Sequence, residues 1–459
     1  MEMTQLELAL SHVKGNPMEK YLPKTGKSKK TVLPPLQLQQ HSRIKTRATE
    51  SPECVFTSLA HLLTPELLTK SFEQLNRRAA VGIDGISCKD YQEDIQDNIA
   101  RLHASLKDRS YKSKALKRKW IDKGEGKQRP IGISSLEDKI VQRAVTTLLN
   151  LIYEQDFYDF SYGFREERSA HQALKYFRDQ SMPSHINWFI NADIKGCFDN
   201  FSHKMMLELL RKRVNDGTLN WLINSWLKSE IIDGKEMTIN ESGTPQGGII
   251  SPLLANMYLH EVVDKWIAEE IRPLLKGDVF IVRYADDFII GLQYEEDACR
   301  LYNVLPKRLA KYGLELSREK SRMQNFAHDS HEKENTIDYL GFTHYWTKSR
   351  QGYDVIKRRT RLKSKTRILK ELYQMIKGNR HLKLAEQFAA INSKLTGYYQ
   401  YYAIRGNSPF LKLIYHKSRF YWVKMLNHRG GRKKSYTIAA FNQLLRIFTL
   451  PKPKVLHQI

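Results

Sequence analysis

The sequence predicts an α+β fold that gives way to a basic, α-helical C-terminal part. Two observations carry this. Short apolar, β-branched runs, "INWFINADI" (186–194) and "FIVRYADDFIIG" (280–291), stand among segments whose apolar residues recur at helical spacing. Beyond about residue 350 the chain changes to three or four basic amphipathic helices, at about 361–377, 382–403, 409–427 and 436–447. Lys357 to Ile459 carries 24 Lys and Arg against two Glu (Glu371 and Glu386). That leaves +22 of the chain's net +25. A surplus this large over about a hundred residues calls for a polyanion to relieve its self-repulsion, and nucleic acid is the obvious one. With 459 residues, 41% of them hydrophobic, the chain can bury real cores in two to four domains.

Residues 1–50 are polar and basic, with "KTGKSKK" and "LPPLQLQQ", and read as a flexible arm over 1–55. Order is expected from "SLAHLLTPELLTKSFEQLNRR" (58–78), where Thr64 and Pro65 suit an N-cap and first helical position. "GIDG" (82–85) is a turn, and "KRKWIDKGEGKQRPIGI" (117–133) a hairpin with "GEG" at its tip. Helices are expected at 137–153, 168–178, 203–213 and 219–228. "GTPQGG" (243–248) is a loop before a helix over 251–271, with Ser251 as cap and Pro252 at N1. A helix at 296–312 and a β-rich piece, "TIDYLGFTHYW" (336–346), precede the boundary at 350.

Several classes are excluded. No apolar run reaches about 18 residues, so no membrane span is expected. The N-terminus lacks the apolar core of a signal peptide. Cys54, Cys88, Cys197 and Cys299 lie far apart without CxxC spacing, which argues against zinc and disulfides and fits a reducing cytoplasm.

Asp286 and Asp287 stand side by side between two apolar arms. Adjacent residues of a regular strand point to opposite faces, but a tight turn relaxes that rule and presents Asp286 at the tip. Such a pair is also ordinary surface chemistry in a turn; here the arms are too apolar for an exposed one. Half-buried carboxylates repel unless a proton or cation intervenes, and an oxygen-only cluster suits Mg²⁺. Asp193 closes the other buried strand, where the alternative is a helix cap or turn residue. If the two strands are neighbours, Asp193 and Asp286 can share two metal ions about 3.5–4 Å apart.

The motifs, taken in order, resemble the reverse transcriptases encoded by bacterial group II introns, the intron maturases. They are "GIDG", "KQRPIGI" (127–133), "SYGFREERSAHQA" (161–173), "NADIKGCFDNFSH" (191–203), "GTPQGGIISPLLANMYL" (243–259), "RYADDF" (283–288), "LELSREKS" (314–321) and "YLGF" (339–342), spread over roughly 60–455. The resemblance implies a right-hand polymerase: fingers and palm over 56–350, then an α-helical thumb or maturase domain over 351–459 that binds RNA. It implies that Asp193 and Asp286 bind two Mg²⁺ ions, with Mn²⁺ able to substitute, that Asp287 supports them, and that the Ile194 carbonyl completes the site. Lys123, Lys127 and Arg129 resemble the clamp on the dNTP triphosphate, Arg129 with the bidentate grip lysine lacks; exposed basic tip residues look the same. Phe198, five residues after Asp193, resembles the ring that excludes a 2′-hydroxyl, or else a core phenylalanine. Gln246 resembles the residue packed on the new base pair. Lys320 resembles a lysine near the primer phosphates. Tyr398 and Tyr402, on a helix with Tyr399 and Tyr401, interleave with basic residues in a way that suits RNA, though half of these tyrosines are expected in the core.

The implied partners are intron RNA, an RNA template, a DNA primer or target and dNTPs, with splicing assisted as well as DNA made. The family's endonuclease, with its paired cysteines, is not expected, because no cysteine follows Cys299. Two alternatives remain: a related reverse transcriptase recruited to defence, repair or CRISPR adaptation, and a non-catalytic RNA-binding splicing factor.

Overall fold

A computed structural model describes residues 33–124, 127–183, 185–327, 335–429 and 436–459; the side chains of 122–127 are outside that description. The chain divides into two compact units, 29–327 and 328–459. The "GEG" tip expected for the first hairpin includes residues 125 and 126, which lie outside the described residues.

The first unit is organised around one buried helix. Before it come α1 (Pro35–Glu50), α2 (Pro65–Glu73), a short helix at Cys88–Glu93, α3 (Ile95–Lys107) and the antiparallel strands β1 (Leu116–Gly124) and β2 (Lys127–Ile133). The buried helix, α4 (Leu136–Asp156), starts where the Ser135 side chain accepts from the Asp138 amide. Its Ile140, Val141, Ala144, Val145, Leu148, Leu149 and Ile152 are fully enclosed. Both α1 and α2 pack against it. Thr64 caps α2 by accepting from the Leu67 amide, with Pro65 at the first position.

Helix α1 corrects the expected flexible arm, since order begins by residue 33. Its buried face holds Gln37, His41 and Ala48, too polar to show a hydrophobic period. Hydrogen bonds secure it instead: Gln37 Nε2 donates to the Leu62 carbonyl at 3.0 Å, and Arg213 Nη2 to the Ala48 carbonyl at 2.9 Å. The part of the arm over residues 1–32 lies outside the described residues.

After α5 (Ala170–Ser181) and β3 (Trp188–Asp193) come a short helix at Cys197–Asn200, α6 (His203–Arg211) and α7 (Gly217–Leu227). Strands β4 (Glu230–Asp233) and β5 (Glu236–Ile239) form a hairpin turned at Gly234, at φ +64°. They extend the first hairpin into a sheet of order β2-β1-β4-β5. Helix α8 (Ser251–Leu259) continues as π-helical turns over His260–Asp264 and Trp266–Ile271. Its N-cap is Ile250, not Ser251; the Ser251 hydroxyl donates to the Pro245 carbonyl at 2.9 Å and so closes the preceding loop.

Strands β6 (Val279–Tyr284) and β7 (Asp287–Leu292), helix α9 (Glu295–Lys311) and β8 (Arg322–Asn325) complete the unit. The central sheet has order β6-β7-β3-β8 and is antiparallel throughout. Strand β8 is a short polar edge, which is why no apolar run announces it.

The second unit opens with a three-stranded antiparallel sheet, β9 (Thr336–Tyr339), β10 (Phe342–Lys348) and β11 (Asp354–Thr360). "YLGF" is its first turn, with Leu340 and Gly341 at φ +45° and +79°. This sheet belongs with the C-terminal helices, so the division falls at 327/328 and not at 350. Helices α10 (Leu362–Gly378), α11 (Leu384–Tyr402), α12 (Ser408–Asn427) and α13 (Ile438–Ile447) follow. They bury Leu372, Leu395, Ile414 and Trp422 among them. Among the described residues no helix is long and apolar enough to cross a membrane.

Candidate active site

The central sheet brings the aspartates together. Asp193, the last residue of β3, pairs directly with Asp287, the first of β7. Asp287 also pairs with Tyr284 of β6, so Ala285 and Asp286 alone form the turn. Ala285 sits at φ +57°, a left-handed conformation costly for a residue with a Cβ. Gly163 abuts this turn. A Cβ on it would lie 2.3 Å from the Ala285 amide nitrogen, so only glycine permits the approach.

Burial pushes the Asp286 carboxyl above the usual carboxylate range. A backbone hydrogen bond at its own amide opposes this, the Asp193 charge adds to it, and Lys320 and Arg129 oppose it. The Cys197 thiol is driven well above its ordinary value, by burial first and then by Asp286, with Asp193 and Asp199 contributing. The site thus concentrates negative charge over a half-dry floor.

Asp193 is held from behind. Its carbonyl accepts from the Ser317 amide at 2.8 Å, and its amide donates to Ser321 Oγ at 3.1 Å. Ile194 forms a bridge with Leu316 that is bonded through its neighbours, Lys195 to Glu315 and Ser317 to Asp193. That pattern turns the Ile194 carbonyl away from Leu316, toward the β7 side of the strand. Lys320 Nζ lies 2.8 Å from Asp193 Oδ1, although two-thirds of the Lys320 side chain is exposed. An exposed pair of this kind is worth no more than about 1 kcal/mol, so the ammonium is readily displaced.

Among the described residues no group of three or more His, Cys, Asp or Glu side chains is placed to hold a metal. The donors at the turn are two aspartates and a backbone carbonyl, all oxygen. Mg²⁺ is commonly bound by one or two carboxylates plus substrate phosphates, so this set fits it. The strain on Asp286 is of the kind a divalent cation relieves.

A polar chain runs beside the aspartates. Arg129 Nε of β2 donates to Gln246 Oε1, and Gln246 Nε2 donates to Asp199 Oδ1 at 2.7 Å. The Gly132 amide donates to the Gln246 carbonyl at 2.7 Å. Gly247 follows at φ +113°, where a Cβ would meet the Gly132 carbonyl oxygen at 2.6 Å. The "TPQGG" loop is thereby stitched to β2. A cleft of roughly 300 Å³ opens here, lined by Arg118, Pro130, Asp199, Ser242 and Gln246 among others. Phe198 is half-buried, edge-on to Phe164 at 6.0 Å and to Phe201 at 6.2 Å. Lys123 and Lys127 lie on the hairpin strands, and their side chains fall outside the described residues.

The two tyrosines belong to the second unit, and one expectation about them fails. Tyr402 is 6% exposed and packs on Phe342 at 5.4 Å and Phe410 at 5.7 Å. It is core, because its helical position faces the sheet of its own unit. Tyr398 is half-buried; its hydroxyl lies 3.2 Å from Glu371 Oε2 and Lys394 covers its ring at 5.2 Å.

Sequence reasoning missed Asp199, and it missed the buried groups behind the turn: Arg283, Asp264, Asn256 and Ser161. The signal was an arginine in the middle of the apolar run "FIVRYADDF". A charge there has to be paired.

Residues 121–344 match the family described as reverse transcriptase (RNA-dependent DNA polymerase). The group II intron-encoded protein LtrA of Lactococcus lactis subsp. cremoris is 37% identical over 229 residues, covering 50% of this chain and 38% of that protein. Protein YkfC of Escherichia coli K12 is 31% identical over 297 residues, covering 57% of this chain and 78% of that protein. The putative COX1/OXI3 intron 1 protein of Saccharomyces cerevisiae is 28% identical over 269 residues, covering 48% and 32%. The match thus spans under two-fifths of LtrA and most of YkfC. With Asp193 registered against Asp287 beneath a two-residue acidic turn, the chain belongs to the reverse transcriptase family and is similar to members encoded by group II introns.

Proposed function

We propose that the chain is the RNA-directed DNA polymerase of a group II intron, extending a primer 3′-hydroxyl with dNTPs on an RNA template. The observation that carries this reading is the pairing of Asp193 with Asp287, which sets Asp286 beside Asp193 at the end of a buried sheet. In the right-hand description, the β6-β7-β3-β8 sheet is the palm, the β1–β2 hairpin the fingers, and the second unit the thumb.

Asp193, Asp286 and the Ile194 carbonyl hold the divalent cations, with Asp287 in support. Two Mg²⁺ ions, or Mn²⁺ in their place, would supply the charge neutralisation that phosphoryl transfer needs at the attacking and leaving oxygens. Arg129 grips the triphosphate, Lys123 and Lys127 adding charge from the same hairpin. Gln246 holds Arg129 beside the cleft and orients it before substrate arrives, which reduces the reorganisation cost at the moment of reaction. Phe198 stands on the helix next to Asp199 and blocks a 2′-hydroxyl. Lys320 leaves Asp193 for the primer–template phosphates.

The second unit binds RNA through its basic surface, intron RNA included, and so promotes splicing and mobility. Affinity for a ribozyme requires phosphate contacts, not the aspartates, so binding and polymerisation are separable. The test is cDNA synthesis on a generic RNA template with an annealed DNA primer and Mg²⁺. The reading predicts full-length product from the wild type. Splicing assistance without any dNTP incorporation would make the chain a binding factor.

A further inference from the structure

Behind the acidic turn lies a buried charge that none of the proposed chemistry uses. Arg283 is the penultimate residue of β6, in the middle of the apolar run, and is fully enclosed. Its guanidinium makes a complete set of bonds. Nε donates to Asp264 Oδ1 at 2.7 Å, and Nη2 to Asp264 Oδ2 at 2.5 Å and to Ser161 Oγ at 2.8 Å. Nη1 donates to Asn256 Oδ1 at 3.0 Å and to the Ala285 carbonyl at 3.1 Å. The last bond lands on the strained turn residue itself. Asn256 closes the circuit by donating from Nδ2 to the Gly163 carbonyl at 2.6 Å, and Gly163 is the glycine pressed on Ala285.

The helix is shaped for this. An α-helix advances about 100° per residue, so Asn256 and Asp264, eight apart, would diverge by roughly 80°. The π-helical turn at His260–Asp264 advances less per residue and takes back most of that offset. Both side chains then reach one guanidinium. A π-turn inside an α-helix is uncommon, and here its effect is to aim two polar groups at Arg283.

We propose that Arg283, held by Asp264 and Asn256, is a positioning residue that fixes the Ala285–Asp286 turn and thereby sets where the Asp286 carboxylate meets a divalent cation. This rests on the polymerase reading for its purpose, but its consequence is local: the metal affinity of the turn. The fork geometry is essential. Lysine keeps the charge opposite Asp264 yet cannot reach Asp264, Ser161, Asn256 and Ala285 together. Loss of a group that orients a metal-binding carboxylate typically weakens the metal about 10–100-fold.

The experiment is a Mn²⁺ titration of the full-length chain followed by electron paramagnetic resonance, counting only the sites that Asp286→Asn removes. Thermal unfolding and binding to an RNA hairpin serve as checks on the fold. Arg283→Lys is expected to weaken those sites about tenfold or more while RNA binding stays at the wild-type level, and higher Mn²⁺ restores occupancy. Asn256→Ser is expected to weaken them less, in the same direction. A folded Arg283→Lys protein with wild-type Mn²⁺ affinity overturns the proposal. If Arg283→Lys does not fold, Asn256→Ser decides: weaker Mn²⁺ supports it and unchanged Mn²⁺ overturns it. Mn²⁺ binding in the wild type that ignores Asp286→Asn also overturns it. A wild type that binds Mn²⁺ through Asp286 yet makes no cDNA sinks the polymerase reading, while the titration still judges Arg283.

Discussion

Asp193 and Asp287 are direct partners across the β3–β7 ladder, and Asp286 stands one residue before Asp287 in a turn too short to let it escape. Cross-strand neighbours lie within reach of each other, so their like charges are repulsive unless a cation intervenes. A fold that puts acids in this relationship gives up stability for function.

That cost is measurable. Because its folded-state carboxyl is raised, Asp286 is protonated more readily in the native chain than in the unfolded one. Below the ordinary carboxylate range it is neutral in both states and carries no penalty. As pH rises through the raised value, the native chain loses stability relative to the unfolded chain. In metal-free buffer, Asp286→Asn is therefore expected to raise the melting temperature at about pH 7–8, with the gain shrinking toward about pH 4. Differential scanning calorimetry across that range checks it; a destabilised variant at neutral pH contradicts it.

Gln246 joins Arg129 to Asp199, so removing it frees the guanidinium. A hydrogen bond to a charged group contributes about 1.5–3 kcal/mol, which corresponds to roughly tenfold or more in affinity. Gln246→Ala is expected to raise the KM for dNTPs about tenfold with a smaller change in kcat. Steady-state single-nucleotide incorporation separates the two; an unmoved KM means that Arg129 needs no such guide.

Phe198 is clamped edge-on between Phe164 and Phe201, so its ring has little freedom to yield to a bulkier sugar. Phe198→Val is expected to erode discrimination against ribonucleotides roughly 10–100-fold, the range one group in a pocket commands. The ratio of kcat/KM for dATP and ATP on one template measures it, and an unaltered ratio assigns Phe198 to packing alone.

The placement of the aspartates on neighbouring strands was legible in the sequence for a physical reason. The strands in "INWFINADI" and "FIVRYADDFIIG" are mostly apolar, so the aspartates at the end of one and at the turn of the other are conspicuous. The polar partners were not legible. Asp264 and Asn256 lie on a helix whose π-helical turns follow no simple spacing, and β8 is a polar edge. The hairpin β4–β5 does carry a turn signal, "DG" at 233–234, but its strands are short and largely exposed, so no alternation of apolar and polar residues supports it. Tyr402 misled because an aromatic on a basic helix looks the same in sequence whether it faces the core or the solvent.

If the second unit binds RNA as proposed, its affinity comes from phosphates. Lys370, Lys377, Lys412 and Lys424 are exposed on its helices. Each phosphate left without its cation reduces the slope of log affinity against log salt by about 0.7–0.9. Replacing the four lysines by glutamine is expected to flatten that slope by up to about 3 while leaving the melting temperature unchanged. Filter binding to intron RNA across a salt series tests this, and an unchanged slope places the RNA on another surface.

The most direct measurement is primer extension on an RNA template with Mg²⁺, comparing the wild type with Asp286→Asn at equal RNA occupancy. The account predicts cDNA from the wild type and a fall on the order of a thousandfold or more in the variant, as expected when a preorganised electrostatic group is lost. Equal extension by both proteins would contradict it.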